Sequence, residues 1–175
     1  MWVSDLMIKL SSRLVIAICG GADISPAIYK SVVELGGILA DAGYIVACGG
    51  LLGTMEAIAK GAKEHGGFTL GFIPSYNKND ANSYIDLVIP TGMGEARNTL
   101  LVATADAIIA IAGGAGTLSE IALGWKMKKP IIALNSSGGW SARLEGTRID
   151  STRDDSIYHA QNPGEVLTIL RTIFG

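Results

Sequence analysis

Three glycine-rich segments carry the residues whose types and spacing could bind a small molecule. The first, residues 113–117, follows an apolar run and precedes a helical pattern. In such a turn successive backbone N–H groups can point inward together, and the helix that follows adds the positive end of its dipole. This pattern predicts phosphate binding, although glycines also serve simply to make a tight corner between a strand and a helix. The segment consists of Gly113, Gly114, Ala115, Gly116 and Thr117.

Two other glycine-rich turns follow apolar runs and would approach the same ligand. Because glycine has no Cβ, the backbone can come close to a bound molecule at these positions. In open α/β sheets ligands bind outside the carboxyl ends of the strands, so we expect the three turns to converge. The residues predicted to contact the ligand in these two turns are Gly20, Gly21, Gly49, Gly50, Gly53, Thr54 and Met55.

Glu120 and Arg97 are the two charged residues that these patterns single out. Thr117 and Glu120 have the spacing of a capping box, in which the glutamate side chain bonds the amide at the start of the helix. As a functional residue, Glu120 would instead accept a ribose hydroxyl or act as an acid or base. Arg97 is predicted in the first turn of a helix, where the dipole disfavours a cation. Its anionic partner would be Glu95, Asp106 or a ligand phosphate.

The sequence lacks the motifs that mark several other common kinds of functional site. There is no Gly-x-Gly-x-x-Gly after the first strand and no Gly-Lys-Ser/Thr, which argues against NAD binding and Mg-ATP hydrolysis. His65 and His159 have no Cys, Asp or Glu at ligand spacing, so we predict no metal site. No serine lies in a Gly-x-Ser-x-Gly elbow, which argues against serine hydrolase chemistry.

The composition favours a globular protein with a small ligand. Hydrophobic residues make up 49% of the 175 residues and charged ones 17%, so disorder is not expected. The 14 Lys and Arg against 16 Asp and Glu give a net charge of −2, and we expect no nucleic-acid partner. No apolar run reaches the roughly 20 residues of a spanning helix, so we expect no membrane partner.

The cysteines and the start of the chain bear on the compartment. Cys19 and Cys48 each lie at the end of an apolar run, where a free thiol behaves as a small hydrophobic group. No positively charged leader precedes the first apolar run. We therefore expect a cytoplasmic protein with reduced thiols.

Short apolar runs alternate with stretches of helical period, which predicts an α/β fold. We predict one Rossmann-like, doubly wound domain over residues 1–175, with a mainly parallel sheet of about seven strands and helices on both faces. The predicted strands are residues 13–19, 44–48, 68–73, 84–89, 107–112, 130–134 and 156–160. The predicted helices begin at Pro26, Thr54, near Gly94, at Thr117 and at Pro163.

Two segments do not fit this alternation. Residues 1–12 form an N-terminal extension, either a short helix that packs on a partner subunit or a frayed end. Residues 135–155 are polar and rich in Gly and Ser, and a connection of about 20 residues is typical of a functional lid or a mobile loop. We expect the contacts that identify the ligand to come from this loop or from residues 74–83.

Three motifs together resemble those of the LONELY GUY (LOG) and molybdenum-cofactor carrier superfamily. The resemblance covers about residues 13–135. It implies a Rossmann-like fold and a homodimer or higher homo-oligomer. The motifs are Cys48-Gly49-Gly50-Leu51-Leu52-Gly53-Thr54-Met55-Glu56, Gly92-Met93-Gly94-Glu95-Ala96-Arg97-Asn98 and Gly113-Gly114-Ala115-Gly116-Thr117-Leu118-Ser119-Glu120.

The resemblance implies one of two activities on a phosphorylated small ligand. In the LOG phosphoribohydrolases, the arginine and glutamate at the positions of Arg97 and Glu120 cleave a base from a nucleoside 5′-monophosphate, and no metal or cofactor is required. In the carriers, the same site binds the molybdenum cofactor (molybdopterin), a phosphorylated pterin, without turnover. Asn98, which follows the arginine, is expected to contact the ligand in either case. A ligand-sensing subunit without turnover is a third alternative.

This sequence departs from the hydrolase pattern at two places. Ala112 stands where the hydrolases usually have proline before the two glycines. The hydrolases' Met-His-x-Arg-Lys is replaced by residues 94–98, Gly-Glu-Ala-Arg-Asn, a form that resembles the carrier branch. Members of the superfamily often carry a lysine decarboxylase label, but pyridoxal phosphate chemistry needs a lysine in the pocket, and none of the glycine-rich turns contains one.

Overall fold

The computed structural model describes residues 13–175, and within them seven strands form one sheet. The strands are β1 (Val15–Gly20), β2 (Ile45–Cys48), β3 (Phe68–Ile73), β4 (Leu87–Pro90), β5 (Ala107–Ile111), β6 (Ile131–Leu134) and β7 (Tyr158–Ala160). Their order is β4-β3-β2-β1-β5-β6-β7, and every neighbouring pair is parallel. The predicted Rossmann-like parallel sheet is confirmed. The predicted extension, residues 1–12, lies outside the described residues.

Six α-helices connect or follow the strands in the described part of the chain. They are α1 (Pro26–Asp41), α2 (Thr54–Glu64), α3 (Asn98–Thr104), α4 (Ala115–Lys126), α5 (Gly139–Leu144) and α6 (Pro163–Phe174). Local sequence fixes several starts: Ser25 accepts a hydrogen bond from the Ile28 amide, and Pro26 takes the first helical position. None of these helices is long and apolar enough to cross a membrane.

The sheet is buried on both faces, which explains why its strands are continuous apolar runs. Side chains of α1, α2 and α6 pack on one face, among them Leu35, Ile58 and Leu170. Side chains of α3 and α4 pack on the other face, where Trp125 is the largest fully buried residue. The predicted helices on both faces are therefore confirmed.

The strand order reverses direction between β1 and β5, at the centre of the sheet. From β1 the chain proceeds outward through β2, β3 and β4, and then returns to place β5 on the other side of β1. At such a reversal the turns after the two strands diverge to opposite faces and leave a crevice between them, which is where α/β proteins bind ligands. Gly20 ends β1 and leads into the first of these turns, and Gly113 lies in the turn after β5.

Three sequence predictions were wrong in detail. Helix α4 begins at Ala115 rather than Thr117, because Gly114 has a non-helical backbone (φ −106°, ψ −144°) and serves as the N-cap. The segment predicted as a helix near Gly94 is a 3-10 turn, Gly94–Arg97, and α3 begins after it. The 135–155 segment is not a long irregular loop, since it contains a 3-10 turn, Asn135–Ser137, and α5.

Strand β4 also starts later than its apolar pattern suggested. Asp86 immediately precedes it and bonds Thr69 on the neighbouring strand: its amide donates to the Thr69 hydroxyl at 2.8 Å, and its carboxylate accepts from the Thr69 amide at 3.0 Å. Side-chain hydrogen bonds therefore replace the regular backbone pairing at this point. Ladder pairing begins at Leu87, which pairs with Leu70.

Candidate functional site

A cavity of about 300 Å³ opens at the carboxyl ends of β1 and β2 and beside the N-terminus of α4. This volume is at the lower end of the range of pockets that hold small organic ligands. The predicted residues that line it come from all three glycine-rich turns and from the segment that contains Arg97. They are Gly20, Gly21, Gly49, Met55, Arg97, Asn98, Gly114, Gly116, Thr117 and Glu120.

Five predicted residues do not line the cavity, and several of them hold the turns together. Gly53 has a φ of +67°, and a Cβ there would lie 2.1 Å from the carbonyl oxygen of Ala22. Thr54 is fully buried, and its amide donates to the Gly21 carbonyl at 3.0 Å. These contacts join the turn after β2 to the turn after β1. The five residues are Gly50, Gly53, Thr54, Gly113 and Ala115.

The cavity is also lined by four residues that were not among those predicted to contact the ligand. Each lies within two positions of a predicted residue in the chain, and Leu51, for example, lies between two of the glycines after β2. Glu95 was considered only as a partner of Arg97, and for the other three residues proximity to the motifs was the only available signal. These residues are Ile18, Ala22, Leu51 and Glu95.

The N-terminus of α4 presents backbone amides that no side chain caps. Gly114 is the N-cap and makes no side-chain hydrogen bond. A Cβ added at Gly114 or Gly116 would meet no atom within 4 Å, so the space beside both residues is open. The first amides of a helix have no partner within the helix and carry the positive end of its dipole. This end of α4 can therefore bind an anion.

Arg97 brings a buried positive charge to the same cavity. Its side chain is 6% exposed, and its Nε and Nη1 atoms have no hydrogen-bond partner in residues 13–175. A Cβ at Gly49 would lie 2.5 Å from Nη1, so a larger residue at position 49 would displace the guanidinium. Within the described chain Arg97 forms no ion pair with Glu95 or Asp106, the two protein partners considered from the sequence. The carboxylate of Asp106 instead accepts from the Val15 amide at 2.8 Å.

Asn98 follows Arg97 and has a fixed orientation. Its Nδ2 donates to the Ser119 hydroxyl at 3.3 Å, and that hydroxyl donates to the Gly116 carbonyl at 2.8 Å. Because the hydroxyl proton is committed to Gly116, the serine oxygen can only accept from Asn98. The Oδ1 atom of Asn98 is buried without a partner in the described residues.

Glu120 is a buried carboxyl group in the wall of the cavity. It is 7% exposed and lies in the second turn of α4, too far along the helix to form the predicted capping box. Burial raises its pKa from 4.5 to about 7, while the positive charge of Arg97 and the Cys19 thiol oppose this shift. Burial also raises the pKa of the Cys19 thiol, to which the nearby Glu120 charge contributes. Near neutral pH, Glu120 can therefore donate or accept a proton.

These groups together define what the site can do. Uncapped amides and one buried guanidinium favour a small anion such as a phosphate. The Asn98 oxygen and the Glu120 carboxyl can bond to neighbouring hydroxyl or N–H groups of the same ligand. No group of three His, Cys, Asp or Glu residues that could hold a metal ion is present in residues 13–175.

The parallel sheet, its central reversal and the glycine-rich cavity at that reversal define a Rossmann-like α/β protein with a candidate ligand site. The chain belongs to the SLOG cluster4 family, whose model matches residues 13–167. The similarity to the LOG and molybdenum-cofactor carrier superfamily that the motifs indicated is thereby confirmed.

The similar proteins include members of both branches of that superfamily, the molybdenum-cofactor carriers and the phosphoribohydrolases. The structure of the molybdenum cofactor binding protein from Rippkaea orientalis is 31% identical, with a TM-score of 0.83 over 93% of this chain and 98% of that one. The molybdenum cofactor carrier protein from Chlamydomonas reinhardtii is 29% identical, with a TM-score of 0.81 over 92% and 98%. A cytokinin riboside 5′-monophosphate phosphoribohydrolase from Mycobacterium tuberculosis is 29% identical over 73% of this chain and 75% of its own length.

Proposed function

We propose that this protein binds a small phosphorylated ligand in the cavity at the carboxyl ends of β1 and β2. In this proposal the phosphate lies against the uncapped N-terminus of α4 and Arg97. The rest of the ligand extends past Asn98 and Glu120 toward the turn after β2.

The observation that carries this proposal is the unpaired state of Arg97. A guanidinium that is 6% exposed normally has a carboxylate or several carbonyl groups as partners, because burying an unpaired charge is costly. Here two of its nitrogen atoms have no partner in the described residues, and the guanidinium lies next to Gly49 in the wall of the cavity. A phosphate in the cavity would supply the missing negative charge and hydrogen-bond acceptors.

The first candidate for this ligand is a phosphorylated pterin, bound as by a carrier and not turned over. Two observations support it: the near-complete mutual coverage with solved molybdenum-cofactor binding and carrier proteins, and the Gly-Glu-Ala-Arg-Asn form of residues 94–98. The residues present fit the phosphate of the molybdenum cofactor. The amides of α4 and the Arg97 guanidinium would hold that group, and Asn98 would accept from an N–H or hydroxyl group of the pterin.

The second candidate is hydrolysis of a nucleoside 5′-monophosphate at its N-glycosidic bond. The specific observation in its favour is Glu120, whose pKa of about 7 suits proton transfer at neutral pH. In this reaction the phosphate would fix the substrate, the oxygen of water would bond to the ribose carbon as the bond from that carbon to the base breaks, and one proton of the water would pass through Glu120 to the departing base. The ionised Glu120 would stabilise the positive charge that develops on the ribose. Similarity to the Mycobacterium tuberculosis phosphoribohydrolase also supports it.

Calorimetric titration with AMP, adenosine and inorganic phosphate tests the binding proposal directly. AMP and adenosine share the base and the ribose, so adenosine is the matched control for the phosphate. We expect AMP to bind and adenosine to bind at least 100-fold more weakly. Equal affinities for the two compounds, or no binding of AMP and inorganic phosphate, would contradict the proposed phosphate site.

Release of free base distinguishes the two candidates. A panel of nucleoside 5′-monophosphates is incubated with the wild-type protein and with Glu120→Gln, and the products are separated by chromatography. Base release by the wild type that is lost in a folded Glu120→Gln variant would establish the hydrolase. No release from any nucleotide, together with fluorescent pterin recovered from protein purified out of cells that make the cofactor, would establish the carrier.

The oligomeric state, the cellular compartment and the partners of the protein are also proposed here. We propose a homodimer or higher homo-oligomer, as the superfamily resemblance implies, and a cytoplasmic setting, as the two cysteines at the ends of apolar runs indicate. The net charge of −2 argues against a nucleic-acid partner. Size-exclusion chromatography with light scattering tests the dimer. A strict monomer at all concentrations would contradict it.

A further inference from the structure

Ala112 has an unusual backbone conformation. It is the last residue before residues 113–117, the turn proposed to bind phosphate and called here the phosphate-binding turn. Its φ is +48°, one of two positive values among the non-glycine residues that the structure describes. For a residue with a Cβ this left-handed region is sterically unfavourable, so neighbouring contacts must maintain it. Gly113 follows with a φ of +85°, and the two residues together turn the chain from β5 into α4.

Ser137 makes the contact that fixes the amide of Ala112. The hydroxyl of Ser137 accepts from the Ala112 amide at 2.6 Å and donates to the carbonyl of Leu134 at the end of β6. Ser141 lies 2.9 Å from the same hydroxyl, and both serines are buried. The Ala112 amide is therefore bonded within the protein and does not face the cavity.

Residues 137–141, here called the supporting segment, also donate hydrogen bonds to the carbonyl groups of Ala112 and Gly113. The Ser141 amide donates to the Ala112 carbonyl and the Trp140 amide to the Gly113 carbonyl, both at 3.2 Å. The approach is close, because a Cβ at Gly139 would lie 2.5 Å from the carbonyl carbon of Ala112. Both carbonyl oxygens of the turn thus point at the supporting segment.

The direction of these carbonyl groups determines the direction of the amides that follow them. In a trans peptide the N–H of one residue points opposite to the C=O of the residue before it. With the carbonyls of Ala112 and Gly113 directed at the supporting segment, the N–H groups of Gly113 and Gly114 are directed away from it. Gly114 lines the cavity, whereas no residue of the supporting segment does. Those amides therefore face the side on which an anion would bind.

We propose that Ser137 is a positioning residue for the phosphate-binding turn. By holding Ala112 in the left-handed conformation, it keeps the carbonyls of Ala112 and Gly113 turned away and the amides of Gly113 and Gly114 turned toward the ligand. The inference rests on the proposed function, because it assigns Ser137 to the same phosphate site. Ser137 itself does not touch the ligand.

A double-mutant cycle between Ser137 and Ala112 tests this inference, with AMP as the probe in calorimetric titrations. Ser137→Ala removes the acceptor, and we expect AMP to bind at least tenfold more weakly. Glycine adopts positive φ without steric cost, so Ala112→Gly should leave the affinity within about threefold of the wild type. In the double variant, Ala112→Gly should restore most of the affinity lost in Ser137→Ala. A merely structural serine would not be rescued in this way.

Thr69→Ala is the control for general loss of a buried hydroxyl. Thr69 is buried and hydrogen-bonded on β3, away from the turn, so its replacement should lower the melting temperature and leave AMP affinity unchanged. If Ser137→Ala does not fold, Ser137→Cys preserves the volume with a weaker acceptor and takes its place.

The outcomes separate this inference from the proposed function. If the wild type binds neither AMP nor inorganic phosphate, the proposed function fails. If the wild type binds AMP and Ser137→Ala binds it equally well, the role of Ser137 is overturned while the phosphate site stands. A loss of affinity in Ser137→Ala that Ala112→Gly does not reduce would also overturn it.

Discussion

Two buried arginines lie near opposite ends of α4, and their surroundings differ completely. Arg97 lies beside the N-terminus of the helix, with two nitrogen atoms unpartnered in the described residues. The Arg153 side chain, 8% exposed, lies at the C-terminus, where its guanidinium forms an ion pair, hydrogen bonds and a contact with an aromatic ring. Its Nη1 donates to the Lys129 carbonyl at 2.9 Å, its Nε donates to Asp155 at 2.7 Å, and its guanidinium lies 4.5 Å from the centre of the Trp125 ring.

The carboxyl groups at the two ends differ in the same way. Asp150 accepts from the indole of Trp125 at 2.9 Å and from the hydroxyl and amide of Thr152, and these hydrogen bonds lower its pKa to about 2. Glu120 near the other end is buried with little compensation, and its pKa rises to about 7.

The polar groups at the two ends of α4 therefore have different effects: those at the C-terminus stabilise the fold, and those at the N-terminus are available to a ligand. Polar groups that stabilise a fold are fully hydrogen-bonded, as at the C-terminus of α4, whereas unsatisfied buried groups destabilise it. The unsatisfied groups of this protein that we describe, which include atoms of Arg97, Asn98 and Thr54, lie in or next to the cavity. A ligand that pairs with the atoms of Arg97 and Asn98, which line the cavity, would recover that lost free energy on binding.

Replacing Arg97 should have the largest effect on binding. We expect Arg97→Met to weaken AMP binding about 1,000-fold, or about 4 kcal/mol, because the buried counter-charge of the phosphate is lost. Its melting temperature should stay equal to that of the wild type or rise, since the guanidinium has few partners to lose. A clear drop in melting temperature with unchanged affinity would show that Arg97 is structural and would remove the contrast with Arg153.

Glu120→Gln should change the pH dependence of stability by roughly 3 kcal/mol. The pKa of Glu120 is raised in the folded protein, so its neutral form contributes stability that is fully present below about pH 4.5 and is lost as pH rises through about 7. Glutamine does not ionise, so the variant should be more stable than the wild type at pH 9 and similar to it at pH 4. Urea unfolding measures the free energy of unfolding of both proteins at pH 4 and pH 9. If the variant differed from the wild type by the same amount at both pH values, the raised pKa of Glu120 would be contradicted.

Arg153→Met should lower the free energy of unfolding by about 2 kcal/mol, because it leaves carbonyl groups at the end of α4 and Asp155 without their donor. AMP affinity should not change, since Arg153 does not line the cavity. Denaturant unfolding and calorimetry of the same preparation measure both quantities. The opposite pattern, loss of affinity with retained stability, would mean that the two ends of α4 are coupled.

Gly114→Ala should have the smallest effect of the four, a loss of AMP affinity of about tenfold, or about 1.4 kcal/mol. The added methyl group meets no protein atom within 4 Å, so stability should change by less than about 0.5 kcal/mol. Gly164→Ala, in the first turn of α6 and outside the cavity, is the control and should leave the affinity unchanged. Full affinity in a bulkier variant, Gly114→Val, would show that the ligand does not approach this turn.

The parallel sheet could be predicted from the sequence because its strands are buried on both faces and are therefore continuous apolar runs. The helix starts at Pro26 and Pro163 could be predicted too, since a polar N-cap precedes a proline at each. The start of α4 could not. Thr117 and Glu120 have capping-box spacing, but Thr117 is buried beneath Gly113 and the backbone of Gly114 takes the cap position.

The candidate site was predictable where glycine and charge mark it, and not where tertiary contacts create it. Arg97 and Glu120 stood out by type and position, and both line the cavity. In the described residues two nitrogen atoms of Arg97 have no partner, and Asp106 instead accepts from the amide of Val15, a contact between distant parts of the chain. Ser137 carried no signal, since it lies in a Gly- and Ser-rich segment whose sequence suggested only a loop.

The conformation of Ala112 has an evolutionary consequence. Proline is confined to φ near −65° and has no amide hydrogen, so it can neither adopt the +48° of Ala112 nor donate to Ser137. A proline at position 112 would therefore disrupt the turn unless the supporting segment changed with it. We expect the residue that is tolerated at position 112 to depend on the residue at position 137, so that substitutions at the two positions have non-additive effects.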